Sequence, residues 1–94
     1  MDKIKRHEEL CEKIHEIYKA KNLAYGDSFG RSINDWGISA AAVRISDKVN
    51  RFFNLAKNPN VDSGDEAITD TLLDLANYAL MTTIELENLH DGNN

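Results

Sequence analysis

Apolar residues recur at intervals of three and four along most of this chain, the spacing that places them on one face of an α-helix. Valine and isoleucine follow the same spacing and do not alternate as they would in a strand. Residues that interrupt helices are few, with five glycines and one proline among 94 residues. The sequence therefore predicts an all-α fold, a small helical bundle of three long helices and one short helix.

Turn and capping residues divide the predicted bundle, which we treat as a single domain over residues 1–94. Asp2 is placed to cap the first helix, and Asp27 or Ser28 is placed to cap the short one. Gly37 is placed to end the short helix in a left-handed conformation, and Pro59 disfavours a helical residue before it. The expected elements are a first helix over 1–22, a turn and short helix over 23–37, a third helix over 38–57, a loop over 58–63, a last helix over 64–89 and a tail over 90–94.

Charge and cysteine content exclude several classes of protein. The formal net charge is −5, from 11 basic and 16 acidic residues, which argues against general DNA binding through a cationic face. The single cysteine, Cys11, excludes an internal disulfide. It lies on the apolar stripe predicted to form the buried face of the first helix, with Ile4, Leu10, Ile14, Ile17 and Tyr18, so we expect an inert core residue. No apolar run approaches 18 residues, so we expect no membrane association and a cytoplasmic location.

The last predicted helix is apolar on two sides, at about 100° per residue. One face holds Ile68, Leu72, Leu75, Ala79, Leu86 and Leu89. The other face holds Leu73, Leu80, Met81 and Ile84. A helix that is apolar on two sides is typically buried on two sides, and a chain this short has little else to cover it. We therefore expect a homo-oligomer, a dimer or larger, in which a second subunit covers one face.

Charged residues of opposite sign occupy neighbouring faces of the third and last helices. The third helix carries a cationic cluster, bordered by Asp47, of Arg44, Lys48 and Arg51. Polar residues that interrupt an otherwise apolar arc of the last helix are Glu66, Asp70, Asp74 and Asn77. Two interpretations are open and compatible. The two sets neutralise each other as an interhelical network, or the cations bind a phosphate while the polar residues orient the rest of a ligand.

The turn before the short helix brings aromatic and polar residues together. Tyr25 and Phe29 flank Asp27 and Ser28, and an aromatic ring here would stack on a base while the helix start attracts phosphate. The alternative is that the aromatic residues cover the small core, which we favour for Trp36.

Three segments resemble a phage and prophage family called nucleotide-modification-associated domain 1. They are KNLAYGDSFG over 21–30, RISDKVNR over 44–51 and DEAITDTLLDLANYALM over 65–81. The resemblance extends over roughly residues 20–87. It implies a small helical phage protein linked to nucleotide metabolism or modification, and it assigns no catalytic residue.

A more distant resemblance is to the MazG-like all-α nucleotide pyrophosphohydrolases. Their first motif, Glu-Glu-x-x-Glu, resembles the segment that contains Glu9 and Glu12. Their second motif ends in an aspartate, where this chain has Asn77. The asparagine removes one anionic ligand and would weaken a Mg²⁺ site.

The leading hypothesis is a phage-type homo-oligomer that binds and sequesters a nucleotide, a cyclic nucleotide or a nucleotide-derived immune signal without turnover, and that requires no cofactor. The predicted ligand-binding residues are Arg44, Asp47, Lys48, Arg51, Asp70, Asp74, Asn77, Tyr25, Asp27, Ser28 and Phe29. The enzymatic alternative is a Mg²⁺-dependent nucleotide pyrophosphohydrolase whose metal-binding residues are Glu66, Asp70 and Asp74, with Glu9 and Glu12. A third alternative is a purely structural interaction module.

Overall fold

Four helices account for the secondary structure of the described part of the chain. The computed structural model describes residues 1–58 and 65–92, with the side chains of 65, 66 and 92 excepted. The helices are α1 (Lys3–Tyr25), α2 (Ser28–Trp36), α3 (Ser39–Lys57) and α4 (Asp65–Gly92), and these ranges contain no strand. The all-α prediction of three long helices and one short helix is confirmed. The predicted loop after residue 58 and the first residue of the predicted last helix lie outside the described residues.

The start of α1 follows the predicted capping pattern, whereas its end does not. The Asp2 side chain accepts a hydrogen bond from the Lys5 amide at 3.1 Å. The helix then continues three residues beyond the expected end at residue 22. The Asn22 side chain donates to the Tyr18 hydroxyl one turn earlier, within the helix, at 3.5 Å. Gly26, at φ 66°, ends the helix instead, because a residue without Cβ adopts a positive φ at little cost.

The short helix α2 is defined at both ends by its sequence. The Asp27 carboxylate accepts from the Gly30 amide at 3.1 Å and caps the helix start. Gly37 ends α2 at φ 78° and ψ −175°, so its φ is positive as predicted while its ψ is extended. Asp27 and Gly37 together confine α2 to nine residues between α1 and α3.

The core lies mainly between α3 and α4, which run antiparallel. Lys48 on α3 pairs with Asp74 on α4. Arg51, one turn after Lys48 on α3, bonds Thr71, one turn before Asp74 on α4, so the two helices run in opposite directions. Both helices bury small residues, Ala41 on α3 and Ala67 on α4. The buried Thr71 donates its hydroxyl to the Ala67 carbonyl at 2.7 Å, so its burial leaves no polar group unpaired.

The helix α1 packs against α4 through its middle and its C-terminal half. Ile14 is 7% exposed, and its carbonyl accepts from Asn77 on α4 at 2.9 Å. The N-terminal half extends past this contact, so Ile4 is 87% exposed and Cys11 is exposed. The prediction that Cys11 is a core residue is therefore wrong in the single chain, because no other described helix covers that part of α1.

One further expectation about burial needs correction. Trp36 does not cover the core, since it is 79% exposed at the last residue of α2, where the chain turns away at Gly37. One chain leaves parts of both apolar faces of α4 exposed, and the cover of one face by a second subunit stays a prediction. Leu72 and Leu86 on one face, and Leu80 and Ile84 on the other, keep large exposed fractions. Within the described residues, no helix has the length and apolarity needed to cross a lipid bilayer.

Candidate functional site

A cavity of about 380 Å³ opens where all four helices meet. Its walls come from the C-terminal half of α1, the turn into α2, Arg44 on α3, and the middle of α4. The volume lies within the range of about 300–1,000 Å³ that is typical of pockets for small molecules. The cavity is therefore large enough to take a small organic ligand, and one chain supplies its walls.

Arg44 is the main cationic group on the wall that is available to a ligand. The residue lies one helical turn before Lys48, and among the described residues no hydrogen-bond or ion-pair partner engages its guanidinium. An arginine with free donors can bind a phosphate or carboxylate through two parallel hydrogen bonds. Lys21, exposed at the rim, adds a second positive charge.

Asp74 is the acidic group at the base of this cationic region, and two lysines hold it. Lys48 Nζ lies 3.2 Å from one of its carboxylate oxygens, and Lys21 Nζ lies 3.6 Å from the other. The two contacts join α3 and α1 to α4. The interhelical charge network expected from the sequence is thus present in part, through Lys48 and Asp74. Lys21 and Arg44 place two positive charges on the wall, and Asp27 and Asp74 place two negative ones. Lys48, which does not line the cavity, pairs with Asp74 and leaves Arg44 as the wall cation without a partner among the described residues.

Four aromatic rings line the cavity. Tyr18 and Tyr25 come from α1, Phe29 from α2 and Tyr78 from α4. The rings of Phe29 and Tyr78 lie 5.7 Å apart between centroids at an angle of 49°, a favourable tilted contact that fixes both rings. Tyr25 is largely exposed at the mouth. The wall therefore carries flat apolar surfaces as well as cationic side chains, a combination suited to a ligand with a ring and an anionic group.

Polar groups complete the wall, but the start of α2 is already occupied. Asn77 donates to the Ile14 carbonyl, while its carboxamide oxygen accepts no hydrogen bond from the described residues. At the start of α2, the Asp27 carboxylate takes the Gly30 amide. This carboxylate would repel an anion near the Gly30 amide. The phosphate-binding role of the helix start stays a prediction, and Asp27 and Ser28 line the cavity.

The structure brings together most of the predicted ligand-binding residues. Those on the wall are Arg44, Asp74, Asn77, Tyr25, Asp27, Ser28 and Phe29. Lys48 lies behind the wall and contacts it through Asp74. Three predicted residues are exposed and do not line the cavity: Asp47, Arg51 and Asp70. Arg51 instead donates its Nε hydrogen to the Thr71 hydroxyl at 3.2 Å, a contact between α3 and α4.

The residues proposed for a metal under the enzymatic alternative are not gathered at one point in the described part of the chain. The Glu66 side chain lies outside the described residues. Glu9 pairs with Arg6 at 3.4 Å on the exposed surface of α1, and Glu12 is exposed on the same helix. Among the side chains that the structure describes, no three His, Cys, Asp or Glu residues form a group able to hold a metal ion.

Several wall residues were not expected from the sequence. They are Tyr18, Lys21, Asn22, Ser32, Tyr78 and Met81. A signal for part of this set was present, because Tyr18, Asn22 and Tyr25 follow a spacing of four and three that places them on one face of α1. That spacing was interpreted as core packing for Tyr18. The crossing of α1 and α4 that brings this face to Asp74 is not visible in either helix alone.

Comparison with known proteins gives one match. The model of a family described as nucleotide modification associated domain 1 matches residues 21–86. The matched range begins at Lys21 on the cavity rim and includes α2, α3 and most of α4. Neither a curated protein nor a solved structure matches the chain significantly. With most of its length matched, the chain belongs to the nucleotide modification associated domain 1 family.

Proposed function

We propose that this protein binds a nucleotide, or a signal molecule derived from nucleotides, in the cavity between its four helices and holds it without turnover. The observation that carries the proposal is the position of Arg44, whose donors have no partner in the described part of the chain, on a wall that also carries four aromatic rings. A nucleotide offers the two matching features, an anionic phosphate and a flat base. The family description, which refers to nucleotide modification, is consistent with this class of ligand.

Each part of the wall has a role in this proposal. Arg44 binds the phosphate through its guanidinium, and Lys21 at the rim attracts the same charge. Tyr25 and Tyr78 offer their faces to the base, and Asn77 offers its carboxamide oxygen to a donor on the base or ribose. Asp74 keeps the two lysines in place. Because both of its oxygens are already engaged by Lys48 and Lys21, we assign it a positioning role rather than that of a metal ligand.

The biological setting that we propose is sequestration in the cytoplasm of a host cell. A small phage protein that captures a nucleotide-derived immune signal and does not degrade it needs an anion-binding pocket and no catalytic group. The setting rests on analogy with what small phage proteins can do, and nucleotide binding in the cavity does not depend on it.

The decisive experiment separates binding from hydrolysis. The full chain is incubated with nucleoside mono- and triphosphates and with cyclic dinucleotides in the presence of Mg²⁺, then denatured by heat, and the small molecules are analysed. Recovery of an intact ligand that had been retained by the folded protein supports the proposal. Release of pyrophosphate or a cleaved product would support the pyrophosphohydrolase alternative, and retention of none of these molecules would support a structural interaction module.

A pair of arginine variants tests the site itself. We expect Arg44→Ala to weaken binding of the retained nucleotide by about 10–100-fold, because a charge-assisted bidentate contact contributes roughly 1.5–3 kcal/mol. The matched control is Arg6→Ala, which removes the same charge from the exposed N-terminal half of α1. Circular dichroism of both variants checks that the helices remain. Equal affinities of the two variants would contradict a site at Arg44.

A further inference from the structure

The helix α4 carries a second feature, on a face other than the one that lines the cavity. Apolar residues and one threonine follow each other there at intervals of four and three residues without a break. They form what we call the α4 stripe: Ile68, Leu72, Leu75, Ala79, Thr82, Leu86 and Leu89. Alternation of four and three is the 3.5-residue repeat by which one helix packs along another in a coiled coil. The stripe extends along the helix for about 30 Å at 1.5 Å per residue.

The α4 stripe is open to solvent in the single chain. Leu72 is 41% exposed, Leu86 is 50% exposed and Leu89 is 42% exposed. Ala79 is exposed as well, while Ile68, Leu75 and Thr82 are half-buried along the border with α3. The helix α1 cannot cover the stripe, since it contacts α4 through Asn77 on the opposite side.

The chemistry of the stripe suits a dry interface. Each charged side chain described on α4 within its length lies off the stripe: Asp70, Asp74, Glu85 and Glu87. Thr82 in the stripe and its neighbour Thr83 direct their hydroxyls into their own helix. Thr82 donates to the Tyr78 carbonyl at 2.6 Å, and Thr83 donates to the Ala79 carbonyl at 2.9 Å. Their hydroxyls are thus satisfied before any partner arrives, and burying them leaves no polar group unpaired.

The accessible surface and the radius of gyration also indicate that this chain is less compact than a typical monomer of its size. The accessible surface is 7129 Å², whereas a compact monomer of 10.6 kDa exposes about 5,500 Å². The radius of gyration is 15.2 Å, compared with about 12 Å for a compact chain of this length. The excess surface is about 1,600 Å², of which the projecting N-terminal half of α1 accounts for a part, and an obligate homodimer buries roughly 1,000–2,500 Å² per chain.

We infer that two copies of this chain associate through their α4 stripes. A second copy is the partner that the stripe itself fits, because its large residues flank the small Ala79 on both sides. In an antiparallel pair, a twofold axis near Ala79 places Leu72 of one copy against Leu86 of the other. In a parallel pair, each stripe residue faces the same residue of the other copy. In either arrangement, the α4 helix of the second copy packs along the whole stripe and presents the same apolar residues to it. None of the stripe residues lines the cavity, so we expect the cavity to stay open in the dimer.

The first test is the mass of the full chain in solution. Size-exclusion chromatography with light scattering at micromolar concentrations is expected to give twice the chain mass of 10.6 kDa. A mass of one chain over that concentration range overturns the inference.

Two variants then locate the interface. Leu86→Glu places a charge in the stripe and is expected to halve the measured mass. Leu80→Glu, at a residue that is 54% exposed on another face of the same helix, is expected to leave the mass unchanged. Loss of the dimer in Leu80→Glu, or its persistence in folded Leu86→Glu, overturns the inference.

Crosslinking gives a readout that does not depend on the folding of Leu86→Glu. In a Cys11→Ser background, Ala79→Cys is expected to form a disulfide-linked dimer on mild oxidation, since this position lies near the twofold axis. Asn88→Cys, exposed and on the opposite side of α4, is expected to remain monomeric on denaturing gels. Equal crosslinking of the two, or crosslinking of Asn88→Cys alone, overturns the inference. Because the cavity is not involved, nucleotide binding by Leu86→Glu is expected to match that of the unchanged chain.

Discussion

Asp74 joins three helices through two ion pairs that are each only partly exposed to solvent. Its carboxylate meets Lys48 from α3 and Lys21 from α1, and its side chain and that of Lys48 are about one-third and one-quarter exposed. Water screens such a pair less than it screens a fully exposed one. This residue was predictable as charged and inward-facing. Its second partner was not, because Lys21 lies far away in sequence and reaches Asp74 only through the crossing of α1 over α4.

We expect Asp74→Asn to lower the free energy of unfolding by about 1–2 kcal/mol, because two lysines lose a charged acceptor. Urea denaturation followed by circular dichroism measures the change. Glu16→Gln is the control, since it removes one exposed pair with Lys19 on α1 and should change stability by less than about 0.5 kcal/mol. Equal effects of the two substitutions would show that Asp74 has no special structural role.

Gly30 lies so close to the Asp27 carboxylate that a Cβ at this position would overlap it. We expect Gly30→Ala to displace the carboxylate from the Gly30 amide and to cost about 1 kcal/mol through loss of the helix cap. Thermal unfolding is the measurement. Asn34→Ala, on the exposed surface of α2, is the control and should be neutral or slightly stabilising, since alanine favours helix. A Gly30→Ala protein as stable as Asn34→Ala would contradict the cap.

The helix α1 depends on a short contact region for its attachment. Ile14 is its buried residue in the described structure, and Asn77 supplies a hydrogen bond to the Ile14 carbonyl. The apolar stripe predicted for α1 identified Ile14 correctly. It could not show that the N-terminal half would extend past α4, because burial depends on where the partner helix lies and not on the period of the apolar residues. The same reason explains the wrong predictions for Cys11 and Trp36.

A matched pair of isoleucines tests this attachment. Ile14→Ala is expected to cost about 2–4 kcal/mol, because it leaves a cavity against α4. Ile4→Ala, in the exposed N-terminal half of the same helix, should cost less than about 0.5 kcal/mol. Chemical denaturation of both variants under identical conditions provides the comparison. A cost of similar size at the two positions would mean that the N-terminal half of α1 is covered in solution.

The fold class of the whole molecule followed from the helical spacing, whereas its cavity did not. Spacing within a helix determines which residues share a face, and this was sufficient to group Arg44 with Lys48 and Asp74 with Asn77. The space between the helices depends on their crossing angles, which are set by the packing of small residues such as Ala41 and Ala67. Exposed residues such as Asp47 and Arg51 were therefore grouped with the site although they face elsewhere.

Association through α4 predicts that stability depends on protein concentration. A tenfold dilution is expected to lower the midpoint of thermal unfolding by about 3–5 °C, because dissociation accompanies unfolding. Differential scanning fluorimetry over a dilution series measures this. Leu86→Glu should show a lower midpoint that does not change with dilution. A midpoint of the unchanged chain that is constant over the series would contradict a dimer.

The Asn77 side chain lines the cavity and also donates a hydrogen bond to the Ile14 carbonyl on α1. Ligand binding in the cavity and docking of α1 against α4 are therefore energetically coupled. A molecule that settles against Asn77 also touches Tyr18 and Lys21, so it can remain only while α1 stays docked. A bound molecule must then shift the docking equilibrium of α1 toward the docked state by the same factor by which docking of α1 raises the affinity for that molecule. Proteolysis within residues 3–25 would therefore become slower as the ligand concentration rises. Undocking of α1 would then be a step that the bound molecule needs before it can leave the cavity.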